Sequence, residues 1–319
     1  MSYNRHSSAY GSDFKRKQFV QRALLIAIIL VLVSFIPFVY IKLKGRNNND
    51  RRELRESFET GAYEAAYTQS RELLREKPLD FFLLSINGFS AYQLAIAQIN
   101  NFDTLSYIDD SIWSLRKALL FNESKSDGRI YYVLGKAYYY KGPGYSDLAV
   151  KYLEKSRAVS YRAGDIPEYL GLAYAAIGDY RHSVAAFSLA LTEDSGITSD
   201  KAPSDILLIS IARSYIALGE FDPAKAYLIR CLDTTRDSRT LATAGLLLGN
   251  ILVKNGDLSG AEAEYAKVIE KNDENAEAHY QLGELYALGG DTTRARAEWR
   301  RAFRIDPTFE PARTRLNTQ

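Results

Sequence analysis

The sequence predicts an all-α chain: a superhelix of about seven helix-turn-helix repeats, preceded by one transmembrane helix. Three observations lead there. Residues 23–41 contain no charged side chain. Beyond them, apolar residues recur at intervals of three and four rather than two, as Leu105, Ile108, Ile112, Leu115 and Leu119 do. A pattern of small residue, aromatic and glycine returns every 34 to 47 positions.

The apolar run comes first. Its 19 positions, at ~1.5 Å each, make a helix of roughly 28 Å, close to a bilayer core. Pro37 lies inside it, where a membrane helix tolerates proline. A buried core helix rarely runs so long and apolar. A cleaved signal peptide is disfavoured because the run exceeds ~7–15 residues and no small-x-small site follows it. Residues 23–41 are therefore a signal anchor and 1–22 a tail. Lys15, Arg16, Lys17 and Arg22 precede the span, and Lys42, Lys44, Arg46, Arg51, Arg52 and Arg55 follow it. Both flanks are basic, so the positive-inside rule does not separate them. The short basic tail resists translocation, which predicts a cytoplasmic N-terminus and a periplasmic repeat domain at the inner (cell) membrane. Residues 42–50 are a short polar linker, and 51–319 form the repeat domain.

The clearest repeat runs from Ala276 to Phe309 and carries Tyr280, Leu282-Gly283, Tyr286, Gly290, Ala295, Trp299, Ala302 and Pro307. Earlier copies start near Ala242, Asp205, Gly164 and Gly128, and weaker ones near Phe81 and Asn47, spaced 34, 47, 36, 41, 37 and 34 along the chain. Gly135, Gly171, Ala212, Gly249 and Gly283 let paired helices approach closely. Gly178-Asp179, Gly256-Asp257 and Gly290-Asp291 stop one helix and start the next, and Asp222-Pro223 repeats the start signal. The long interval after Phe81 implies lengthened helices around Asn100-Asn101. Gly142-Pro143-Gly144 widens a turn, and Ile197 to Ser204 reads as a loop between repeats.

In this register the chain resembles the tetratricopeptide repeat family, over roughly residues 47–309. Only His279 departs from the last unit's pattern. The resemblance implies a right-handed superhelix whose first helices line a concave groove, commonly a seat for peptides or partner helices. By that register Tyr132, Lys136, Tyr139, Tyr169, Arg213, Asn250, Tyr280, Gln281 and Glu284 face the groove, and Tyr131 and Tyr138 face the core. The Lys and Asn that grip chaperone tails in one family variant are replaced here by Tyr132, Lys136, Tyr169 and Ile206, which argues against that ligand. With its anchor the chain resembles bacterial envelope-assembly members of the family. More loosely, it resembles those of the spirochaete periplasmic flagellar collar.

No chemistry competes with this reading. The formal net charge is +2, which gives no field for nucleic acid. His6, His182 and His279 stand apart, and Cys231 is the single cysteine, so no metal spacing exists. No phosphate-binding loop or nucleophile elbow is present. The sequence therefore predicts no enzyme, cofactor, metal or small-molecule substrate. Its partners are other proteins, held in the groove, and the membrane. An adaptor facing the cytoplasm, recruiting an enzyme or protease, is the alternative. The arginines between Arg294 and Arg315 read as the polar outer face of the last hairpin.

Overall fold

The computed structural model describes residues 49–97, 103–121, 127–193 and 203–317. All regular structure in these residues is helical. Helix α1 covers 49–59. It is followed by α2 (Tyr63–Glu76), α3 (Phe81–Ala97), α4 (Thr104–Phe121), α5 (Gly128–Lys141), α6 (Ser146–Ala158), α7 (Ile166–Ala176) and α8 (Tyr180–Glu193). Then come α9 (Asp205–Leu218), α10 (Phe221–Thr234), α11 (Ser238–Lys254), α12 (Leu258–Lys271), α13 (Ala276–Leu288), α14 (Thr292–Ile305) and α15 (Glu310–Asn317). Each odd helix from α3 to α13 packs against the even helix that follows it, and Phe58 of α1 meets Tyr63 of α2, giving seven hairpins among the described residues in a tetratricopeptide-type superhelix.

Small residues set the distance within hairpins. A methyl group added to Gly88 would lie 2.5 Å from Leu115 Cγ, one on Gly135 2.5 Å from Leu153 Cγ, and one on Gly283 2.6 Å from the Trp299 ring. Gly171 and Gly249 face the rings of Phe187 and Tyr265 in the same way. The even helix thus drives one large side chain into a glycine notch on its partner, where neither can shift cheaply. The punctuation follows its chemistry. Gly178, Gly256 and Gly290 have φ near +80°, a conformation that costs a side-chain-bearing residue more. Asp257 and Asp291 then accept backbone N–H groups of Gly260 and Arg294, both at 2.9 Å.

Several expectations are corrected in detail. Helix α11 begins at Ser238, four residues ahead of the expected Ala242, because Asp237 caps it by accepting Thr240 N–H at 2.8 Å. Helix α10 begins at Phe221, so Asp222-Pro223 lies inside its first turn and Asp222 is not the cap. The last hairpin does have a neighbour: α15 packs on α14 and buries Ala312. Four arginines of the basic cluster are paired, Arg294 with Asp291, Arg301 with Asp273, Arg313 with Glu310 and Arg315 with Glu284, the last two from α15. Helices α3 and α4 are long, 17 and 18 residues against 13 and 14 in α13 and α14. The turn at Gly142 tightens into one 3-10 turn, Pro143–Tyr145.

The tail 1–22, the span 23–41 and the linker up to residue 48 lie outside the described residues, as do Asn100-Asn101 and most of the expected 197–204 loop. Among the described residues no helix is long and apolar enough to cross a membrane.

Candidate functional site

Successive odd helices touch one another along the stack, α3 with α5, α5 with α7, and on through α13. They therefore form the shorter, inner side of the curve, and the residues they turn inward line a groove.

At α3, α5 and α7 this groove is filled by a tyrosine cluster around one lysine. Lys136 is buried. Its Nζ donates to Asp165 Oδ2 at 2.6 Å and to Tyr132 OH at 3.1 Å, and it lies 4.2 Å from the centroid of the Tyr169 ring. Tyr132 OH also donates to Asp165. A buried ammonium is costly unless paired and hydrogen-bonded, and here the pairing comes from the next repeat. Asp165 sits at the N-terminus of α7 but makes no side-chain cap; its carboxylate serves Lys136 instead. Around this pair, Tyr139 meets Tyr169 edge-on at 5.2 Å, and the Tyr140 and Tyr169 hydroxyls are 2.6 Å apart. Tyr92, from α3, packs against Tyr140, and its hydroxyl is enclosed without a hydrogen-bond partner. Burial raises the pKa of Tyr92, Tyr132, Tyr139 and Tyr169, so all four stay neutral at any physiological pH.

The groove opens at α9, α11 and α13. Ile216, Leu247, Val253, Leu285 and Leu288 floor a concavity of about 440 Å³, with Asn250, Lys254, Gln281 and Glu284 on its margin. Leu288 is 64% exposed. Asn250 accepts the Tyr265 hydroxyl at 2.6 Å. Glu284 accepts Arg315 Nε at 2.8 Å, from the capping helix.

The nine residues placed in the groove by register thus separate. Tyr132, Lys136, Tyr139 and Tyr169 come together in the cluster, and Asn250, Gln281 and Glu284 in the open section. Arg213 is exposed on α9, between the two. Tyr280 packs edge-on against Phe309, 5.5 Å away, near the capping helix. The sequence reading missed Asp165, Tyr92 and Tyr140 in the cluster, and Ile216, Leu247 and Leu288 in the open floor. Asp165 reads as a helix start, and Tyr92 lies one long repeat upstream, so spacing alone could not join them to Lys136.

The two remaining titratable candidates are structural. His279 is buried, with Nδ1 2.6 Å from Glu298 and Nε2 3.1 Å from the Asp273 carbonyl. Cys231 is enclosed in the α9–α13 core, and burial pushes its thiol up to about 11. Among the described residues no group of three or more His, Cys, Asp or Glu is placed to hold a metal ion.

Fold and groove together are those of a tetratricopeptide-type superhelix. Two profiles of the tetratricopeptide repeat match the chain, over residues 246–308 and 207–238, where the last three repeats were read from the sequence. Among curated proteins, the CTR9 homolog of Arabidopsis thaliana is 30% identical over 99 residues, 31% of this chain and 9% of that protein. The anaphase-promoting complex subunit CDC16 of Saccharomyces cerevisiae is 32% identical over 123 residues, 37% of this chain and 14% of that protein. The chain spans only a small part of either relative. Among solved structures, the C-terminal part of a TPR repeat-containing protein from Cytophaga hutchinsonii aligns with TM-score 0.58 at 16% identity, covering 84% of this chain and 100% of that one. PilW, a type IV pilus biogenesis factor, aligns at 0.54 and 18%, covering 72% and 98%. These structural likenesses establish the fold.

Proposed function

We propose that this chain is a non-enzymatic scaffold or assembly factor of the bacterial envelope. In this reading residues 23–41 anchor it in the inner membrane, with the N-terminus cytoplasmic and the repeats periplasmic. Its groove receives a peptide segment or helix of a partner protein. The observation that carries the binding role is the open section between α9 and α13. An apolar floor of about 440 Å³ with a polar margin suits the apolar face of an amphipathic segment, entered by two or three anchor side chains. Lys136 and Tyr132 are already satisfied by each other and by Asp165, so they set the shape of the groove rather than reach out to a ligand. The envelope role rests on the apolar run and on the sequence resemblance to anchored envelope proteins, with the flagellar collar its loosest form.

A photo-crosslinking residue at Gln281 or Leu288, in cells, tests the binding role. Adducts to one discrete protein, lost on Leu285→Asp, are expected; the same adducts from Glu270 on α12 would refute groove binding. Protease added to spheroplasts tests the topology. A repeat domain that survives intact would favour the cytoplasm-facing adaptor that recruits an enzyme or protease.

A further inference from the structure

The inter-repeat edge of the first three hairpins combines features that one occupant would explain together. Arg51, at the start of α1, pairs with Asp80 and lies over the Phe82 ring, 5.2 Å from its centroid. The starts of α1 and α3 are therefore side by side. Gly88 faces Leu115 in the antiparallel pair α3/α4, which sets the end of α4 level with the start of α3. Gly128, at the start of α5, abuts Val159 and Tyr161 just past α6. One edge of the stack thus carries the entry of the chain into α1 together with the junctions between repeats.

Each of those junctions exposes one large aliphatic residue: Leu79 is 49%, Leu120 81% and Val159 52% exposed. The same edge carries a row of cations. Arg52, Arg75, Lys77, Lys155 and Arg162 are exposed and Lys117 half-buried, interspersed with the exposed acids Glu53, Glu72, Glu76 and Asp127 and the half-buried Glu154. Aliphatic side chains interspersed with Lys and Arg are the composition of a surface lying in a headgroup layer: the aliphatic groups enter the acyl boundary and the cations meet lipid phosphates.

We propose that this edge lies on the anionic surface of the bilayer, so that the repeat domain is held in one orientation by lipid contact and not by its tether alone. The inference rests on residues 23–41 being a membrane anchor. Only seven residues, 42–48, separate that run from α1, and they span at most ~25 Å. The edge through which the tether enters is therefore confined near the headgroups, and attraction acting over a Debye length of ~8 Å can seat it. Three aliphatic residues in the acyl boundary and six cations near phosphate supply the energy. The opposite edge, where odd helices end, carries Leu288 on α13 and is directed away.

The full chain, reconstituted in vesicles of phosphatidylcholine with phosphatidylglycerol, tests this. Single cysteines at Leu79, Leu120, Val159 and, as control, Leu288 carry an NBD label; enclosed Cys231 stays unlabelled. Lipids bearing a doxyl group near the headgroup should quench the first three labels at least about twofold more than the label at Leu288. Arg75→Glu with Lys117→Glu and Lys155→Glu should abolish that difference, and pure phosphatidylcholine should reduce it. Labels at 79, 120 and 159 quenched no more than the one at 288, in chains that float with vesicles, would overturn the inference while leaving the anchor standing. Failure of the chain to float would remove both.

Discussion

Gly135→Ala adds a single methyl group at a point where the structure leaves no space for it. The new Cβ would lie 2.5 Å from Leu153 Cγ, 2.9 Å from Cδ2 and 3.0 Å from the backbone nitrogen of Leu153. Ordinary contact begins near 3.5 Å, so relief requires turning a fully buried leucine or moving α6 as a whole, because one contact is main chain. Overpacking of this kind costs about 1–3 kcal/mol, and the backbone contact places it in the upper half of that range. Alanine is favoured over glycine in a helix by about 1 kcal/mol. The net is a destabilisation of about 1–2 kcal/mol, or roughly 3–6 °C in Tm for a domain of this size. Circular-dichroism melting of the purified protein measures it. Gly289→Ala is the control, since the nearest atom to its Cβ is 3.6 Å away, and it should melt within ~1 °C of the parent. A double-mutant cycle with Leu153→Ala should show coupling above ~1 kcal/mol, because the smaller partner accepts the methyl. If Gly135→Ala melts at or above the parent, the glycine is not a packing notch, and the account of the hairpin given for five repeats fails with it.

Further outcomes follow from the same contacts. Lys136→Met keeps the aliphatic stem under the tyrosine rings but removes the cation from Asp165, which keeps the Tyr132 hydroxyl and whose side chain is 35% exposed; these limit the penalty to about 1–2 kcal/mol, read as a lower midpoint in urea. The carboxyls of Asp179, Asp237 and Asp291 are held below their usual range, chiefly by backbone N–H groups at helix starts. Their contribution is complete above the unfolded carboxylate value near ~4 and is lost as pH falls through the lowered folded values. Acid unfolding should therefore begin below pH ~4, and Asp291→Asn, which can still cap, should flatten its slope. Cys231 should resist thiol reagents in the native protein and react only as the α9–α13 core opens, so its labelling rate in rising urea should track the loss of helix; fast labelling without urea would contradict its burial.

The sequence by itself determined the class of fold and much of its register. Glycine notches, Gly-Asp punctuation and the three-and-four spacing are local signals, each confined to one hairpin, and hairpins are local structures. All seven starts were legible for that reason, although Asp237 moved one of them by a turn. The register also assigns one side of each odd helix to the curve, and Asn250, Gln281 and Glu284 of that set line the open concavity. Only tertiary structure decided what those inward residues do. Lys136 reads as a free cation in sequence, but Asp165 of the next repeat neutralises it and Tyr169 covers it. Glu284 reads as an available acid, but Arg315 reaches it from a helix that the repeat pattern does not contain. Pairings across repeats depend on how one hairpin is set against the next, and that angle is summed over many side chains rather than written at any one position. The groove was foreseen; which part of it is filled and which stands open became visible only when the repeats were stacked.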